Sequence, residues 1–406
     1  MSNSDPAAVA ELLSELVSID SVNPTLVPGG GGEAAIAARL AELLRGAGLD
    51  VDTPEVAAGR PNAIGVLRGR DTQAPGLVLC GHLDTVGVAG MTVDPFGGRI
   101  EGDRVYGRGA FDMKAGLAAI VEAARRIAAA GGGDGDLIVA LVADEEDRSL
   151  GAEQFAGWIR DRGLRPAAGI VPEPTGLSIV NAHKGFSWSQ VETEGRAAHG
   201  SAYEEGVDAI SLMGRVLARL EALDRDELPR HTHPILGRGS VHCGLISGGQ
   251  ERSSYPARCV LDLERRLIPG ETAASAGQEI EGILAGLRGE SSDFRATYRQ
   301  GFERPPLEVP LDAPIVRALD IAVSATLGPD AVRHEGIAGW ADSQILSAAG
   351  IQSVLFGPGS GDAGADLGLA HSAGEYASIE STVCCADLLV AAAHAYWGRT
   401  SSRETA

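Results

Sequence analysis

Apolar residues gather in two patterns along this chain, and the two alternate. Around residues 7–19, 33–48, 117–130, 312–327 and 378–397 they recur every three or four positions, which predicts amphipathic helices. Between these lie unbroken apolar runs at 63–67, 76–80, 136–143, 168–171 and 353–356. Runs of that length read as strands buried on both faces, the kind that fills parallel sheets. From residue 186 the pattern changes. A half-exposed strand at 186–194 is followed by a helix at 206–223, strands at 240–247 and 258–267, a helix at 273–287 and a strand at 293–299. That βαββαβ order is the ferredoxin-like unit. The expected fold is therefore α/β, a mixed and mostly parallel sheet flanked by helices. It is formed by residues 1–185 and 301–406, with a ferredoxin-like α+β domain inserted at 186–300. A chain of 406 residues is long enough for two domains.

Three of the buried runs end in polar clusters, and open α/β sheets carry their sites at the carboxyl ends of strands. The run at 76–80 leads into Gly81-His-Leu-Asp-Thr-Val86, the run at 136–143 into Asp144-Glu-Glu-Asp147, and the run at 168–171 into Pro172-Glu-Pro-Thr175. His82 and Asp84 can emerge on one side of the chain, which suits an imidazole bound to metal with a carboxylate on its other ring nitrogen. Each cluster alone has a plainer reading. His82 and Asp84 suit a strand end and a turn, the acidic run suits a solvated loop, and Asp112 suits the N-cap of the helix at 117–130. Yet adjacent acids placed directly off a core strand repel one another, and a cation would relieve them. Glu173 is held between two prolines that fix φ on both sides. Taken together, His82, Asp84, Asp112, Glu145, Glu146, Glu173 and His371 supply nitrogen and oxygen donors without thiolate. Such a set fits Zn²⁺ or Co²⁺ better than Ca²⁺, and a carboxylate shared by two ions is the arrangement of two-metal hydrolases.

Composition narrows the partners. The net charge of −21 argues against nucleic acid and against an anionic membrane surface. No run approaches ~18 apolar residues, and the first residues lack the basic and apolar regions of a secretory signal. The five cysteines are odd in number and sit mostly in apolar runs, as reduced core residues do. A cytoplasmic protein is expected.

The motifs HLDTV (82–86), GRGAFDMKAG (107–116), ADEED (143–147), PEPT (172–175), GRAAHGS (195–201), FGPG (356–359) and AHSAGEY (370–376) follow one another in a fixed order. In that order the chain resembles the dinuclear zinc family of acetylornithine deacetylase, succinyl-diaminopimelate desuccinylase, aminoacylase and glutamate carboxypeptidase, from its first helix to its last. The resemblance implies a zinc exopeptidase-like catalytic domain binding two divalent ions, Zn²⁺ first and Co²⁺ as the alternative. His82 and Glu173 would hold one ion, Glu146 and His371 the other, and Asp112 would bridge them. Asp84 would support His82, and Glu145 would be the general base acting on a metal-bound hydroxide. His199 would polarise the scissile carbonyl, in its own chain or across a homodimer built on the inserted domain. Arg266 would clamp a substrate carboxylate, beside a pocket shaped by Ser247-Gly-Gly-Gln250 and Tyr255-Pro256. Trp340 and Asp342 match a segment near the site.

The substrate side departs from the family pattern. Tyr203 stands for a usual Pro, Asp208 and Ser253 for usual Asn residues, and Glu264 for a usual Asp. The reaction type expected is hydrolysis of the amide of an N-acyl amino acid, of the acetylornithine deacetylase or desuccinylase kind. A carboxypeptidase-like metallopeptidase releasing a C-terminal amino acid such as glutamate is the alternative. A metal-free binding protein is the third reading, and the intact donor set argues against it. The identity of the acyl group and of the amine stays open, with a small N-acyl amino acid or short peptide as the expected partner.

Overall fold

The computed structural model describes residues 4–362 and 368–400. The last two positions of the glycine-rich run 357–364 lie outside the described residues. The chain divides into two compact units, Met1–Asn181 with Val309–Glu335 and Ala341–Ala406, and Ala182–Glu308 with Gly336–Trp340. The second unit is wider than the 186–300 expected for an insertion and also takes in the short return segment carrying Trp340.

The first unit is built on strands β1 (Asp50–Asp52), β2 (Ala63–Leu67), β3 (Gly76–His82), β4 (Leu137–Val142), β5 (Pro166–Val171), β6 (Ile179–His183, its last two residues counted with the second unit) and β7 (Gln352–Leu355). They lie in the order β1-β2-β4-β3-β5-β7-β6. The central pairs β4/β3, β3/β5 and β5/β7 are parallel, while β1/β2, β2/β4 and β7/β6 are antiparallel. Every residue of β3 and of β4 is buried, which is why these segments read as continuous apolar runs. Parallel alignment brings His82 level with Val142, so both strands end on the same side of the sheet.

Helices α1 (Pro6–Ser18), α2 (Ala34–Gly46), α3 (Ala115–Ala129), α4 (Leu150–Asp161), α5 (Pro314–Leu327), α6 (Ser343–Ala348) and α7 (Ile379–Thr400) flank this sheet. α1, α3, α5 and α7 pack together, and α4 packs with α6. The close seat of α3 depends on two glycines. A Cβ at Gly81 would come within 2.9 Å of Leu117 and Met113, and one at Gly116 would come within 2.2 Å of the Pro172 carbonyl. Asp5 caps α1 by accepting the Ala7 amide.

In the second unit the strands Ser240–Gly248, Arg258–Leu267, Gly185–Glu194 and Ala296–Arg304 lie side by side in that order, all antiparallel. This is the ferredoxin-like arrangement of a βαββαβ chain. The helices Ala209–Ala222 and Ala273–Glu290 share a core with the sheet through Val191, Met213, Val216, Leu261, Ile280 and Leu284. Asp208 is the N-cap of the first helix, accepting from Ile210 and Ser211, so this departure from the family pattern has a structural role here. Thr272 and Ser275 form a capping box on the second. Among the described residues no helix is long and apolar enough to cross a membrane.

Candidate metal centre

The carboxyl ends of β3, β4 and β5, together with two loops, bring five of the expected donors into one cluster. His82 closes β3 and is buried. Its Nε2 lies 3.1 Å from Asp112 Oδ1 and 3.9 Å from Glu173 Oε1. His371 Nε2 lies 3.4 Å from Asp112 Oδ2 and 3.2 Å from Glu146 Oε1. The two oxygens of Asp112 thus face different histidines, with one glutamate on each side. His82, Asp112 and Glu146 alone place three ligand atoms within 4.8 Å of one another.

Asp112 reaches this position without belonging to a helix. Its φ of −120° and ψ of 95° are extended, and the regular helix starts at Ala115. The plain N-cap reading of Asp112 therefore does not describe it. The Asp112–Met113 peptide is cis. The Asp112 amide and that of Phe111 donate to the Glu375 carboxylate at 3.2 and 3.0 Å. Glu375 is paired in turn with Arg108, which also donates to the Gly87 carbonyl at 3.0 Å.

Asp84 departs from its expected role. The group on His82 Nδ1 is the Asp84 backbone oxygen at 2.9 Å, while the nearest carboxylate oxygen stands at 3.8 Å. The carboxylate is engaged elsewhere. It accepts the amides of Glu145 at 3.0 Å and Glu146 at 3.1 Å, and the Asn23 side chain at 2.8 Å. Asp84 therefore holds the acidic turn after β4 as well as the histidine before it. The Glu145 carboxylate takes no hydrogen bond from any described residue.

Charge is crowded here. Burial pushes the Glu145 carboxyl well above the usual range, with Asp342, Glu173 and Glu146 adding to it against the pull of His82. Glu173 is raised in the same way by burial, with Asp112 and Asp342 contributing. Burial brings Asp84 to about 6, helped by Glu146 and Glu33. Asp112 goes the other way: burial opposes its charge, but hydrogen bonds from His371 and His82 hold it ionised. Asp112 and Glu146 raise His371 to about 10. Buried carboxylates that must otherwise take up protons are the environment a cation stabilises. The oxygen and imidazole donor set fits divalent ions of the Zn²⁺ class.

His199 and Arg266 belong to the second unit and have their own partners there. His199 is exposed. Its Nδ1 accepts the Ser201 amide at 3.3 Å and stands 2.8 Å from the Ser201 hydroxyl. With Nδ1 an acceptor, the neutral ring carries its proton on Nε2. Arg266 donates through Nε to Glu264 at 2.6 Å and lies 5.5 Å from the Phe186 ring centroid. Glu264 also accepts the Trp188 indole at 2.7 Å. Phe186, Trp188, Phe302 and Trp340 form an aromatic cluster around this pair. Ser247, Gly248, Gly249, Gln250, Tyr255 and Pro256 line a cavity of about 460 Å³.

Reading the sequence alone passes over Asn23, Glu33 and Arg60, and gives no role to Arg108 and Glu375 within their motifs; all five are buried around the cluster. Asn23, Glu33 and Arg60 lie in Gly- and Pro-containing stretches, where a polar residue reads as part of a turn.

Residues 78–395 match the sequence model of Peptidase family M20/M25/M40. Acetylornithine deacetylase of Myxococcus xanthus is 31% identical over 344 residues, covering 83% of this chain and 85% of that protein. The crystal structure of aminopeptidase PepT from Bacillus cereus has a TM-score of 0.77 at 19% identity, covering 97% of this chain and 99% of that one. The YXEP protein of Bacillus subtilis, described as a dinuclear metal-binding peptidase, has a TM-score of 0.72 at 13% identity, covering 97% and 98%.

Proposed function

The chain belongs to Peptidase family M20/M25/M40 and is a metal-dependent amidohydrolase, and from that premise we propose that it removes the acyl group from an N-acyl amino acid, as a deacetylase or desuccinylase does. One observation carries the reading. Asp112 turns one carboxylate oxygen toward His82 and the other toward His371, with Glu173 on the first side and Glu146 on the second. His82 and Glu173 would hold one divalent ion, His371 and Glu146 another, and Asp112 both, with Zn²⁺ preferred and Co²⁺ the alternative. Bound there, the ions would supply Lewis acidity, polarising the scissile carbonyl and making the attacking water more acidic.

The remaining work falls to the chain's own side chains. Glu145, adjacent to a ligand and with a carboxylate that takes no hydrogen bond among the described residues, takes the proton from the attacking water and passes it to the leaving amine. Burial raises its carboxyl above the usual range, which makes it a stronger base than an exposed glutamate. His199 donates from Nε2 to the oxyanion, the tautomer its contacts with Ser201 favour. Arg266 offers guanidinium nitrogens to the substrate carboxylate, with Nε already fixed by Glu264.

The protein acts as a cytoplasmic homodimer in this reading. Its five cysteines are free, as reducing compartments keep them. The edge strand Ser240–Gly248 exposes Leu245 at 71% and Ile246 at 54%, a surface that pairing with a second copy would cover.

A hydrolysis screen of N-acetyl, N-succinyl and N-formyl amino acids beside dipeptides, with Zn²⁺ or Co²⁺ supplied, tests the substrate class. Turnover of an N-acyl amino acid is expected. Turnover confined to dipeptides overturns the deacylase reading in favour of a carboxypeptidase-like enzyme.

A further inference from the structure

The acidic turn after β4 has to do something awkward. Two consecutive glutamates leave it, one facing His371 and the other with a carboxylate that takes no hydrogen bond among the described residues, and the residue before them is in a strained conformation. Asp144 has φ 73°, left-handed backbone that a non-glycine residue seldom adopts. Such strain persists only where the surroundings impose it. Here the surroundings are specific. Asp144 Oδ1 accepts Arg60 Nη2 at 2.8 Å and Asn23 Nδ2 at 3.1 Å. The same Asn23 nitrogen donates to Asp84 Oδ2 at 2.8 Å, and Asp84 receives the amides of Glu145 and Glu146. The Asn23 amide thus closes a ring of hydrogen bonds that runs through Asp84, the two glutamates' backbone and Asp144.

We propose that Asn23 and Arg60 are positioning residues for the Glu145–Glu146 turn, holding it so that one glutamate faces the metal site while its neighbour stays free. The inference rests on the roles given above to Glu145 and Glu146. Neither Asn23 nor Arg60 makes a hydrogen bond to His82, Asp112, Glu146, Glu173 or His371 side chains among the described residues, so both act through the turn. Both are themselves fixed. The Asn23 backbone donates to Thr85 at 2.9 Å and its Oδ1 accepts the Thr25 amide at 2.9 Å. Arg60 donates from Nε to Glu33 at 2.9 Å and from Nη1 to Thr25 at 2.9 Å. Glu33 and Asn23 are fully buried, and Arg60 is 8% exposed. Both residues precede the 78–395 span that matches the family, so the N-terminal segment completes the support of a site whose donors all lie later in the chain.

The chemistry also explains why an amide stands at residue 23. Its NH₂ group lies between two buried carboxylates, Asp84 and Asp144, already accompanied by Glu33 with Arg60 as the neighbouring cation. A donor without charge satisfies two acceptors there. A carboxylate of the same shape would face both of them, with no proton to give when ionised.

The test measures zinc stoichiometry and affinity by chelator competition, with kcat and KM on the best substrate of the screen. Asn23→Ala should weaken one of the two zinc ions about 10–100-fold and lower kcat by a similar factor, as loss of support behind metal ligands typically does. The other ion and KM should change little. Asn23→Asp should be worse than Asn23→Ala in both readouts although it keeps the shape. Asp144→Gly serves as the variant that eases the backbone, since glycine adopts positive φ freely, and removes only the anchors. It should fold and still lose affinity for the same ion. The inference fails if Asn23→Asp equals or exceeds Asn23→Ala, if Asp144→Gly binds both ions as the unmodified protein does, or if both ions weaken equally. An unmodified protein that binds fewer than two ions, or keeps its turnover in Glu145→Gln, instead refutes the underlying reading of the site.

Discussion

Glu375 and Asp112 are far apart in sequence, yet the Glu375 carboxylate accepts the Asp112 backbone amide at 3.2 Å. Because the amide is tied behind it, the Asp112 side chain is free to face both histidines. Glu375 also pairs with Arg108, and Arg108 Nη2 reaches the His371 carbonyl at 3.5 Å. One buried ion pair therefore touches two of the donor segments from the side away from the cluster.

Breaking that pair leaves an uncompensated charge in the interior. Their side chains are 3% and 1% exposed, so Glu375→Gln should destabilise the protein by about 3–5 kcal/mol in urea unfolding. The double variant Arg108→Met with Glu375→Gln should lose less than the sum of the two singles, the signature of direct coupling. A loss under about 1 kcal/mol for Glu375→Gln, or strict additivity, would show that the pair does not hold the loop.

Adjacent glutamates in different roles make a sharp contrast. Glu145→Gln should keep the full metal content and the fold while turnover falls about 10²–10⁴-fold, the usual worth of a general base. Glu146→Gln should instead release metal on dialysis. Metal analysis beside kinetics decides it: if Glu145→Gln loses metal and Glu146→Gln keeps it, the roles are reversed.

His199 acts electrostatically in this scheme, so its loss should appear in kcat. His199→Ala is expected to lower kcat roughly 10²–10³-fold, with metal content and thermal stability close to the unmodified protein. If the donor acts across a dimer, mixing His199→Ala with Glu145→Gln under subunit exchange should restore activity, since one site of each mixed dimer has every group intact. Confirmed heterodimers that regain nothing, alongside inactive parents, would confine His199 to its own chain or remove it from catalysis.

His183 gives a pH signature separate from the metal centre. It is fully buried, and burial lowers its pKa to about 4 from the usual 6.5. The unfolded state therefore binds the extra proton first. Stability from the neutral buried ring is complete above pH 6.5 and is lost as the pH falls toward 4, at up to about 1.4 kcal/mol per pH unit. His183→Gln cannot titrate, so its stability should fall less steeply across that window. Parallel curves for the two proteins, measured by urea unfolding at several pH values, would exclude His183 as the source.

The sequence is most legible where burial is most complete. β3 and β4 are apolar throughout because both faces are covered, and the polar residues just past them are conspicuous for that reason. His82, Asp84, Glu145 and Glu146 stand out on this ground, Glu173 does so after the apolar end of β5, and their gathering with Asp112 and His371 depends on parallel strands ending together. Less regular backbone is harder to read. Asp112 precedes a helix and so resembles an N-cap, but non-helical φ/ψ at Asp112 and Met113 delays the helix to Ala115. Periodicity alone does not predict helix α4, whose short apolar pattern contains Gly151 and Gly157, nor α6, which is only six residues long. The aromatic cluster around Arg266 draws on residues from Phe186 to Trp340, and only pairing of distant strands brings them together. Asn23 and Arg60 are informative only once their acceptors are known.

The order in which the donors occur has a consequence for how the protein is made. His82, Asp112, Glu146 and Glu173 leave the ribosome before the second unit is synthesised, and His371 follows only after it. A growing chain therefore exposes a strongly acidic half-site for as long as the intervening unit takes to be translated. Under the proposed ligand set, the site is therefore complete only once the last donor, His371, has been synthesised.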